Sequence, residues 1–578
     1  AGKPVEVSEA DKVLAEGRLS TGDRQCSAIL RLPMPARGSS YQPLTVLIDG
    51  KAVGRVRLPD AESYRRERLM FAPIAFKPYV FADSKFPACD FADPAEARAL
   101  LGPYTVNVTC YDSKYRQVTE AARAGRYGAV VEITPRDRPV IRRYRTLFRR
   151  GIFIEARAPS HWLESLGIDP AVLRSQPDRV KKALSEAKKA GMGTTTDSAV
   201  LLAGLAETKP ARLRPSVAED VWAMDRQWWV HLKRKLYGMD RKFPDAFVCP
   251  TPIEGEPASV LRPGTVAQAG VKPDAAERID AVCREWLDAS GEAFAVCVAR
   301  KGVVFFHKAY GKRDGKDMTV DTPSWMASIT KLLAGTVMMM AVDKGLVNLT
   351  DSAEGFLPPL SRLRSPRTLT IRHLYTHTSG LSGHYGSSMH DMEEVIVSGY
   401  PDLPVAQRYN YTGVGYDLGS KCLEMVSGEA LPQFYKRHLL DPLGCRNTDV
   451  TDSGGGARST SMDMARIGQM LLNRGAYGKW RFFSEKTFQA MLPRKLDDLI
   501  GPAGRNISQG IGLTWFDHEN QRLGPTFGHG AASGAYFRIN PANGLVIVVT
   551  RNTHGEGYFE YRAKFLEAVI NSLPEKKQ

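Results

Sequence analysis

The segment Ser328-Ile329-Thr330-Lys331 pairs a candidate nucleophile with a candidate base. It opens the apolar stretch 332–342, so Ser328 lies at the start of a predicted helix and Lys331 lies one turn later on the same face. The first N–H groups of a helix have no intrahelical acceptor, and the helix dipole favours a developing anion there. An amine held against apolar side chains is desolvated, so its neutral form is accessible near neutral pH. The pair is therefore suited to attack an acyl carbonyl.

The same Ser-x-x-Lys spacing occurs a second time, at Ser185 and Lys188. This copy lies inside the highly charged stretch 179–191, which predicts a helix with the serine in its middle. Lysines on such a face stay hydrated and keep their charge, so we interpret this copy as a solvated surface. The spacing alone does not identify a catalytic serine, and other segments must decide.

Four further segments follow Ser328 along the chain. They are 369–381, which contains His377-Thr-Ser-Gly380; 411–428, which begins with Tyr411-Thr-Gly413; 454–466, which begins with three glycines; and 527–536, which contains His529-Gly-Ala-Ala. In this order, the five segments resemble the serine β-lactamase and penicillin-binding-protein superfamily. The resemblance is to the class C β-lactamase-like branch that includes family VIII carboxylesterases and D-aminopeptidases, and it covers about residues 273–573.

The resemblance implies a role for each segment. Ser328 would be the nucleophile, and Lys331 and Tyr411 would share its proton, with the primary base left open. A phenol beside a cationic lysine has its phenolate stabilised, so we expect Tyr411 to serve as a base and then as an acid. The N–H groups of Ser328 and Ala532 would form the oxyanion hole. The candidate substrate-binding residues are His529, Gly530, Ala531, Gly413, Trp515 and Tyr536, and for the two aromatic residues a place in the core is an equal alternative.

Three positions depart from the family pattern. Gly413 stands where the family usually has asparagine, which in the β-lactamases supports the lysine and contacts a substrate amide. His529 stands where those enzymes carry lysine, and Ala531 stands where glycine is usual. A mostly neutral imidazole is a weaker anchor for a carboxylate than an ammonium group. These changes favour esters over lactams.

Two other features invite a functional interpretation. His377 is a tempting base, but the resemblance implies a structural loop, so we expect a hydrogen-bonded loop histidine. The run Met338-Met339-Met340 lies in the predicted apolar helix and is interpreted as core packing.

Composition limits the other classes of function. The net charge is +16, but the basic clusters 136–150, 179–189 and 233–242 are interleaved with apolar positions and are interpreted as solvated faces, without a nucleic-acid-binding motif. No apolar stretch approaches the roughly 20 residues needed to span a bilayer. The expected partner is a small ester or amide substrate, and the oligomeric state is left open.

Cysteine usage argues against metal and disulfide frameworks. Eight cysteines in 578 residues form no CxxC or zinc-like spacing, so neither a metal nor a cofactor is expected. Cys283, Cys297 and Cys422 lie in apolar runs and are predicted to be buried thiols, whereas a β-rich segment offers one pairing among Cys26, Cys89 and Cys110. The chain begins at Ala1 without methionine, which is compatible with a removed signal peptide or with a trimmed sequence, and the first of these favours a secreted or periplasmic protein.

Periodicity predicts a multidomain chain. Residues 1–150 read as short alternating strands of a sandwich-like β-domain, 151–242 as a mainly helical segment, and 243–273 as a Pro-rich linker or wrapping segment. Residues 274–578 begin and end on hairpins, which predicts an α/β domain with an antiparallel sheet, flanking helices and an all-α lobe.

The predicted function is a serine hydrolase that acts on carboxylic esters through an acyl-enzyme. The alternatives are a D-stereospecific amidase or peptidase, a β-lactamase-like activity, and, from another class, a catalytically silent binding protein.

Overall fold

The structure is a computed structural model, and its contacts divide the chain into two compact units, Ala1–Met224 and Asp225–Gln578. It describes residues 3–9, 12–18, 20–21, 26–27, 44–56, 74–76, 79–81, 84–86, 88–123, 125–136, 148–157, 211–213, 226–382, 392–399, 402–519 and 521–574. The second copy of Ser-x-x-Lys, at Ser185 and Lys188, lies outside these residues.

The first unit is rich in β-structure, as predicted. An antiparallel sheet contains, in spatial order, the strands Lys12–Arg18, Pro4–Glu9, Leu44–Ile48 and Lys51–Val56. A second sheet contains Gln117–Val118, Tyr104–Tyr111, Gly125–Pro135, Phe148–Arg157 and Tyr79–Phe81, of which the last pairs in parallel. A third joins Asp90–Phe91, Ile74–Phe76 and Ala211–Leu213, and the helix Pro94–Leu101 follows it with Asp93 as its N-cap. The core of this unit includes Cys89 and Cys110, both free thiols.

The segment 151–242, predicted to be mainly helical, begins as a strand. Residues Phe148–Arg157 pair along their length with Gly125–Pro135, and alternation buries Ile152 and Ile154. The helix predicted at 179–191 lies outside the described residues, whereas residues 226–236, near the end of the segment, are helical, as expected.

A seven-stranded sheet forms the centre of the second unit. In chain order its strands are β1 Arg262–Pro263, β2 Phe294–Arg300, β3 Val303–Tyr310, β4 Thr514–Trp515, β5 Phe527–Gly530, β6 Tyr536–Asn540 and β7 Leu545–Arg551. Their spatial order is β1-β3-β2-β7-β6-β5-β4, and every pair is antiparallel except β1 with β3. The hairpins β2–β3 and β6–β7 confirm the two predicted at the start and the end of this domain.

Helices cover both faces of this sheet. The longer ones are α1 Arg226–Leu236, α2 Ala275–Ser290, α3 Thr330–Asp343, α4 Val414–Ser427, α5 Ser461–Leu472 and α6 Tyr558–Asn571. One face packs against α2 and α6 through a core that includes Trp286 and Phe565. The other face approaches α5 so closely that a Cβ on Gly468 would lie 2.6 Å from Val546. The predicted α/β arrangement is confirmed for this unit.

Shorter elements build the helical lobe and its borders. The short helices are Met239–Lys242, Val266–Ala269, Ile371–Tyr375, Met392–Gly399, Leu431–Tyr435, Asp441–Leu443, Glu485–Met491 and Asp497–Ile500. The short strands are Thr251–Pro252, Lys312–Arg313, Lys316–Asp317, Ser324–Trp325, Asp449–Val450, Ala457–Ser459, Ala476–Tyr477, Trp480–Arg481, Arg494–Lys495 and Ser508–Gln509. Among the helices that the structure describes, none is both long enough and apolar enough to cross a bilayer.

Residues 226–263, at the start of the second unit, pack onto the rest of that unit. Lys233 on α1 forms a buried ion pair with Glu393, and Arg226 approaches the buried Glu424 at 3.9 Å. The Pro-rich segment supplies Thr251–Pro252, which pairs with Trp480–Arg481, and strand β1 of the central sheet. Segment 243–273 is therefore a wrapping segment that packs onto the second unit, and not a free linker.

Candidate active site

Ser328 lies on a tight turn that a neighbouring strand holds in place. A 3₁₀ turn, Ala327–Ile329, precedes α3, and Ala327 has a left-handed φ of 43°. A non-glycine residue in this region costs about 1–3 kcal/mol, so the surroundings must enforce it. Ala457 does so from both sides, because its carbonyl accepts from the Met326 N–H at 2.8 Å and its N–H donates to Thr330 Oγ1 at 3.0 Å. Ser328 itself is half-buried and reachable.

The Lys331 amine is buried next to this serine. The residue is 3% exposed, and Nζ donates a hydrogen bond to the Gly454 carbonyl at 2.5 Å. Burial lowers the pKa of Lys331 from its ordinary 10.5 to about 8, although Asp417 and Asp452 partly oppose this change. A substantial fraction of the amine is therefore neutral near physiological pH, as the sequence argument requires.

The Gly454 carbonyl, which accepts the hydrogen bond from Lys331, belongs to a loop that a buried carboxylate holds in place. Asp417, on α4, accepts the N–H groups of Ser453 at 3.0 Å and Gly454 at 2.8 Å. Burial and, secondarily, the nearby Asp452 raise the pKa of Asp417 to about 7, although the two N–H groups and Lys331 partly oppose this. A Cβ at Gly413 would lie 3.2 Å from the Gly454 Cα, which is tight for any side chain. The loop thus occupies the space beside Gly413.

Tyr411 lies beside both catalytic candidates. Its ring centre is 4.9 Å from Lys331 Nζ, and its hydroxyl interacts with the Ser328 side chain by hydrogen bonding. Although 48% of the residue is exposed, desolvation of the Tyr411 hydroxyl raises its pKa, and the Ser328 hydrogen bond only partly offsets this. The raised pKa favours the protonated phenol, which is suited to donate a proton. How Lys331 and Tyr411 share the serine proton stays a prediction.

His529 lies on β5, the strand that contacts the Ser328 turn. It is buried, and its Nδ1 lies 2.6 Å from the Gly530 carbonyl, so Nδ1 carries the proton and Nε2 keeps a lone pair. Burial lowers the pKa of His529 to about 4, the Gly530 hydrogen bond opposes this, and Lys331 and Arg538 add to it. The ring is neutral. Ala531 and Ala532 follow on the turn after the strand, with Ala532 exposed.

The two aromatic candidates have different places. Trp515 on β4 is half-buried, and its indole N–H donates to the Pro493 carbonyl at 3.1 Å. Tyr536 is 1% exposed and belongs to the core shared with α2 and α6, where its hydroxyl donates to Glu519. Alternation along β6 turns it away from the site. Tyr536 as a substrate-binding residue is therefore wrong, and the core alternative holds.

Comparison with known protein families gives a match that lies inside the second unit. Residues 284–569 match the family model described as Beta-lactamase. Over these residues, the chain belongs to this beta-lactamase family. The resemblance predicted from the ordered motifs is thereby confirmed.

The relatives of this beta-lactamase-family chain are distant. It is 21% identical over 321 residues to Protein flp of Staphylococcus aureus (strain MW2), a match that covers 49% of this chain and 63% of that protein. It is 26% identical over 230 residues to the monacolin J acid methylbutanoyltransferase of Aspergillus terreus, covering 32% of this chain and 54% of that protein. The chain thus spans less than two thirds of either relative. A solved family VIII carboxylesterase is 16% identical, with a TM-score of 0.44, over 53% of this chain and 99% of the other.

Sequence reasoning missed part of the lysine environment. Asp417 and Gly454 both lie in segments that carry the beta-lactamase-family resemblance, yet neither was assigned a role. The available signal was the unusual Gly413 together with the three glycines that begin at Gly454, since two glycine-bearing segments can approach closely. Within the described part of the chain, no group of three or more His, Cys, Asp or Glu side chains is arranged to hold a metal ion.

Proposed function

We propose that the second unit is a serine hydrolase that cleaves carboxylic esters through an acyl-enzyme on Ser328. One observation carries the proposal: a buried lysine with a pKa near 8 lies one helical turn from a reachable serine. A base that is partly neutral at the working pH is what activation of a serine hydroxyl requires.

The proposed reaction has two steps. Ser328 Oγ attacks the ester carbonyl while its proton passes to Lys331, and the N–H groups of Ser328 and Ala532 face the oxyanion. Tyr411 donates its proton to the leaving alcohol and is reprotonated from Lys331, leaving an acyl-serine. Water then attacks the acyl-serine and releases the acid. One ester and one water become one acid and one alcohol.

Two features of the site support an ester substrate. At Gly413 there is no side-chain amide to bind a substrate amide, and the Gly454 carbonyl serves Lys331 in its place. His529 is neutral, with a pKa near 4, so it offers no cation to a substrate carboxylate. Lactams and peptides with a free carboxylate therefore lack two of their usual contacts.

Acyl transfer to an alcohol is the second candidate. One relative is named a methylbutanoyltransferase, and transfer would share the acyl-serine with hydrolysis. Trp325, which precedes the Ser328 turn and is 41% exposed, and Tyr411, which is 48% exposed, leave aromatic surface open to an acceptor. Adding a short-chain alcohol to the assay and measuring the new ester against the free acid separates the two.

The decisive test is a substrate panel on the full chain. Wild type is expected to hydrolyse p-nitrophenyl butyrate and to react with a fluorophosphonate, whereas Ser328→Ala loses both and Lys331→Met loses turnover. Ser185→Ala, in the other Ser-x-x-Lys segment, is the matched control and keeps wild-type rates. Turnover of D-alanyl amides without ester turnover would favour the amidase alternative. Equal inactivity of wild type and Ser328→Ala towards every ester and amide, without labelling, would indicate a binding protein.

A further inference from the structure

His377 contacts three consecutive residues of the segment that carries Tyr411. Its carbonyl accepts from the Asn410 N–H at 2.8 Å, and its Nδ1 accepts from the Thr412 N–H at 3.2 Å. Its ring centre lies 4.4 Å from that of Tyr411, at an interplanar angle of 34°. The residue is 1% exposed, so these contacts are sheltered from water.

We propose that His377 is a positioning residue that holds the Tyr411 phenol against Ser328 and Lys331 and does not itself transfer a proton. This inference rests on the proposed function, because it assumes that Tyr411 protonates the leaving group.

The backbone at His377 supports a dedicated role. Its φ is 59°, in the left-handed region that non-glycine residues rarely adopt. This conformation is unfavourable unless the surroundings compensate for it. Here, the carbonyl and the ring of one residue contact the same three-residue segment, and that double contact provides the compensation.

The hydrogen bonds also determine the tautomer. Because Nδ1 accepts from Thr412, the ring proton must be on Nε2. Protonating Nδ1 would break the Thr412 contact, so His377 cannot serve as a base without releasing the Tyr411 segment. Burial, and to a smaller extent the nearby Lys331 amine, holds the pKa of His377 well below its usual range. The ring therefore stays neutral, and the contact persists across the pH range of an esterase assay.

Lys331 is a neighbour of both His377 and Tyr411, so the position of His377 affects the geometry of the reacting groups. Lys331 is 4.9 Å from the Tyr411 ring and close enough to His377 to lower its pKa. A shift of segment 410–412 would carry the phenol away from Ser328 without removing a group that itself touches the substrate. Hence the expected loss is in kcat, with KM little changed.

Three variants separate the two contacts. His377→Asn keeps an acceptor at the Nδ1 position but loses the ring, His377→Phe keeps a ring but loses the acceptor, and His377→Ala loses both. For p-nitrophenyl butyrate we expect kcat to fall about tenfold in each of the first two and about a hundredfold in the third, with KM within about threefold.

The deciding readout is the same set of variants made in Tyr411→Phe. If His377 acts through the Tyr411 hydroxyl, His377→Ala should lower kcat by less than about threefold in that background. A merely structural residue would cost the same factor in both backgrounds, and that result would overturn the proposal, as would a wild-type kcat in His377→Ala. Should His377→Ala fail to fold, as judged by its thermal transition, His377→Asn makes the same comparison. If wild type itself neither turns over esters nor labels with a fluorophosphonate, the proposed function fails, which is a different outcome from additivity of the variants.

Discussion

Asp417→Asn should move the acidic limb of the pH–rate profile to lower pH. The variant keeps the Oδ1 acceptor for the N–H groups of Ser453 and Gly454, so the loop that presents the Gly454 carbonyl should stay in place. It removes the negative charge that raises the pKa of Lys331. The lysine then loses its proton more readily, which places the neutral base at lower pH.

The size of the shift follows from the charges at the site. An opposite charge a few ångströms away typically shifts a pKa by about 1–3 units. Gly454 lies between Asp417 and Lys331 and forms a hydrogen bond with each. Because the pKa of Asp417 is itself near 7, its carboxylate is fully ionised only above that pH. We therefore expect a displacement of about half a unit to one unit, or about 0.7–1.4 kcal/mol. At pH 6.5, kcat/KM relative to its plateau should rise by about three- to tenfold.

The assay is kcat/KM for p-nitrophenyl butyrate between pH 5.5 and 9.5, where the limb reports the free enzyme. Asp452→Asn is the matched control, because Asp452 also raises the pKa of Lys331, as the smaller of the two causes, and also accepts two loop N–H groups. Asp452→Asn should also move the acidic limb to lower pH, but by a smaller amount than Asp417→Asn. A folded Asp417→Asn enzyme with an unchanged limb, or with a limb at higher pH, would refute the assignment of Lys331 as the titrating base.

Four further predictions concern the rest of the second unit and the buried thiols. Gly413→Asn should lower kcat at least tenfold, because its Cβ would lie 3.2 Å from the Gly454 Cα; ester kinetics check this, and a gain in activity would contradict it. Glu393→Ala removes the buried carboxylate that pairs with Lys233 and should reduce the free energy of unfolding in urea by about 3–5 kcal/mol. Tyr536→Phe should leave KM and kcat within about twofold of wild type, since the residue belongs to the core; a large rise in KM would restore it to the substrate site. Cys283 and Cys297 are buried thiols whose pKa is raised to about 12 by burial, so a thiol reagent should modify them only after denaturant unfolds the protein.

Local patterns were enough to predict most of the second unit. The turn Lys301-Gly302 and the turn at Asn543-Gly544 each join two apolar runs, and both form the expected hairpins of the central sheet. The apolar run after Lys331 is a buried helix, as its composition indicates. Such features depend on neighbours in sequence, which is why periodicity and turn residues identify them.

Pairing with distant segments was harder to predict. Residues 151–157 were expected to begin a helical segment, yet they extend a strand because Gly125–Pro135 lies beside them. Tyr536 could not be assigned to a face of its strand until the order β7-β6-β5 was known. In both cases the strand that decides the outcome comes from a distant part of the chain. The residue pattern of a single segment contains no information about such a partner.

The lysine environment shows why a missing side chain need not mean a missing interaction. From the sequence, Gly413 removes the asparagine that supports the lysine in the family pattern, which kept a catalytically silent protein open as an alternative. In the structure the Gly454 carbonyl accepts the Lys331 amine, and Asp417 holds that carbonyl in place. The approach is possible because neither Gly413 nor Gly454 has a Cβ to separate the two segments. A backbone carbonyl provides the hydrogen bond without offering a substrate amide the two-sided contact that an asparagine side chain provides. Gly413 therefore leaves Lys331 with a hydrogen-bond acceptor, and under the proposed function it favours ester substrates over amides.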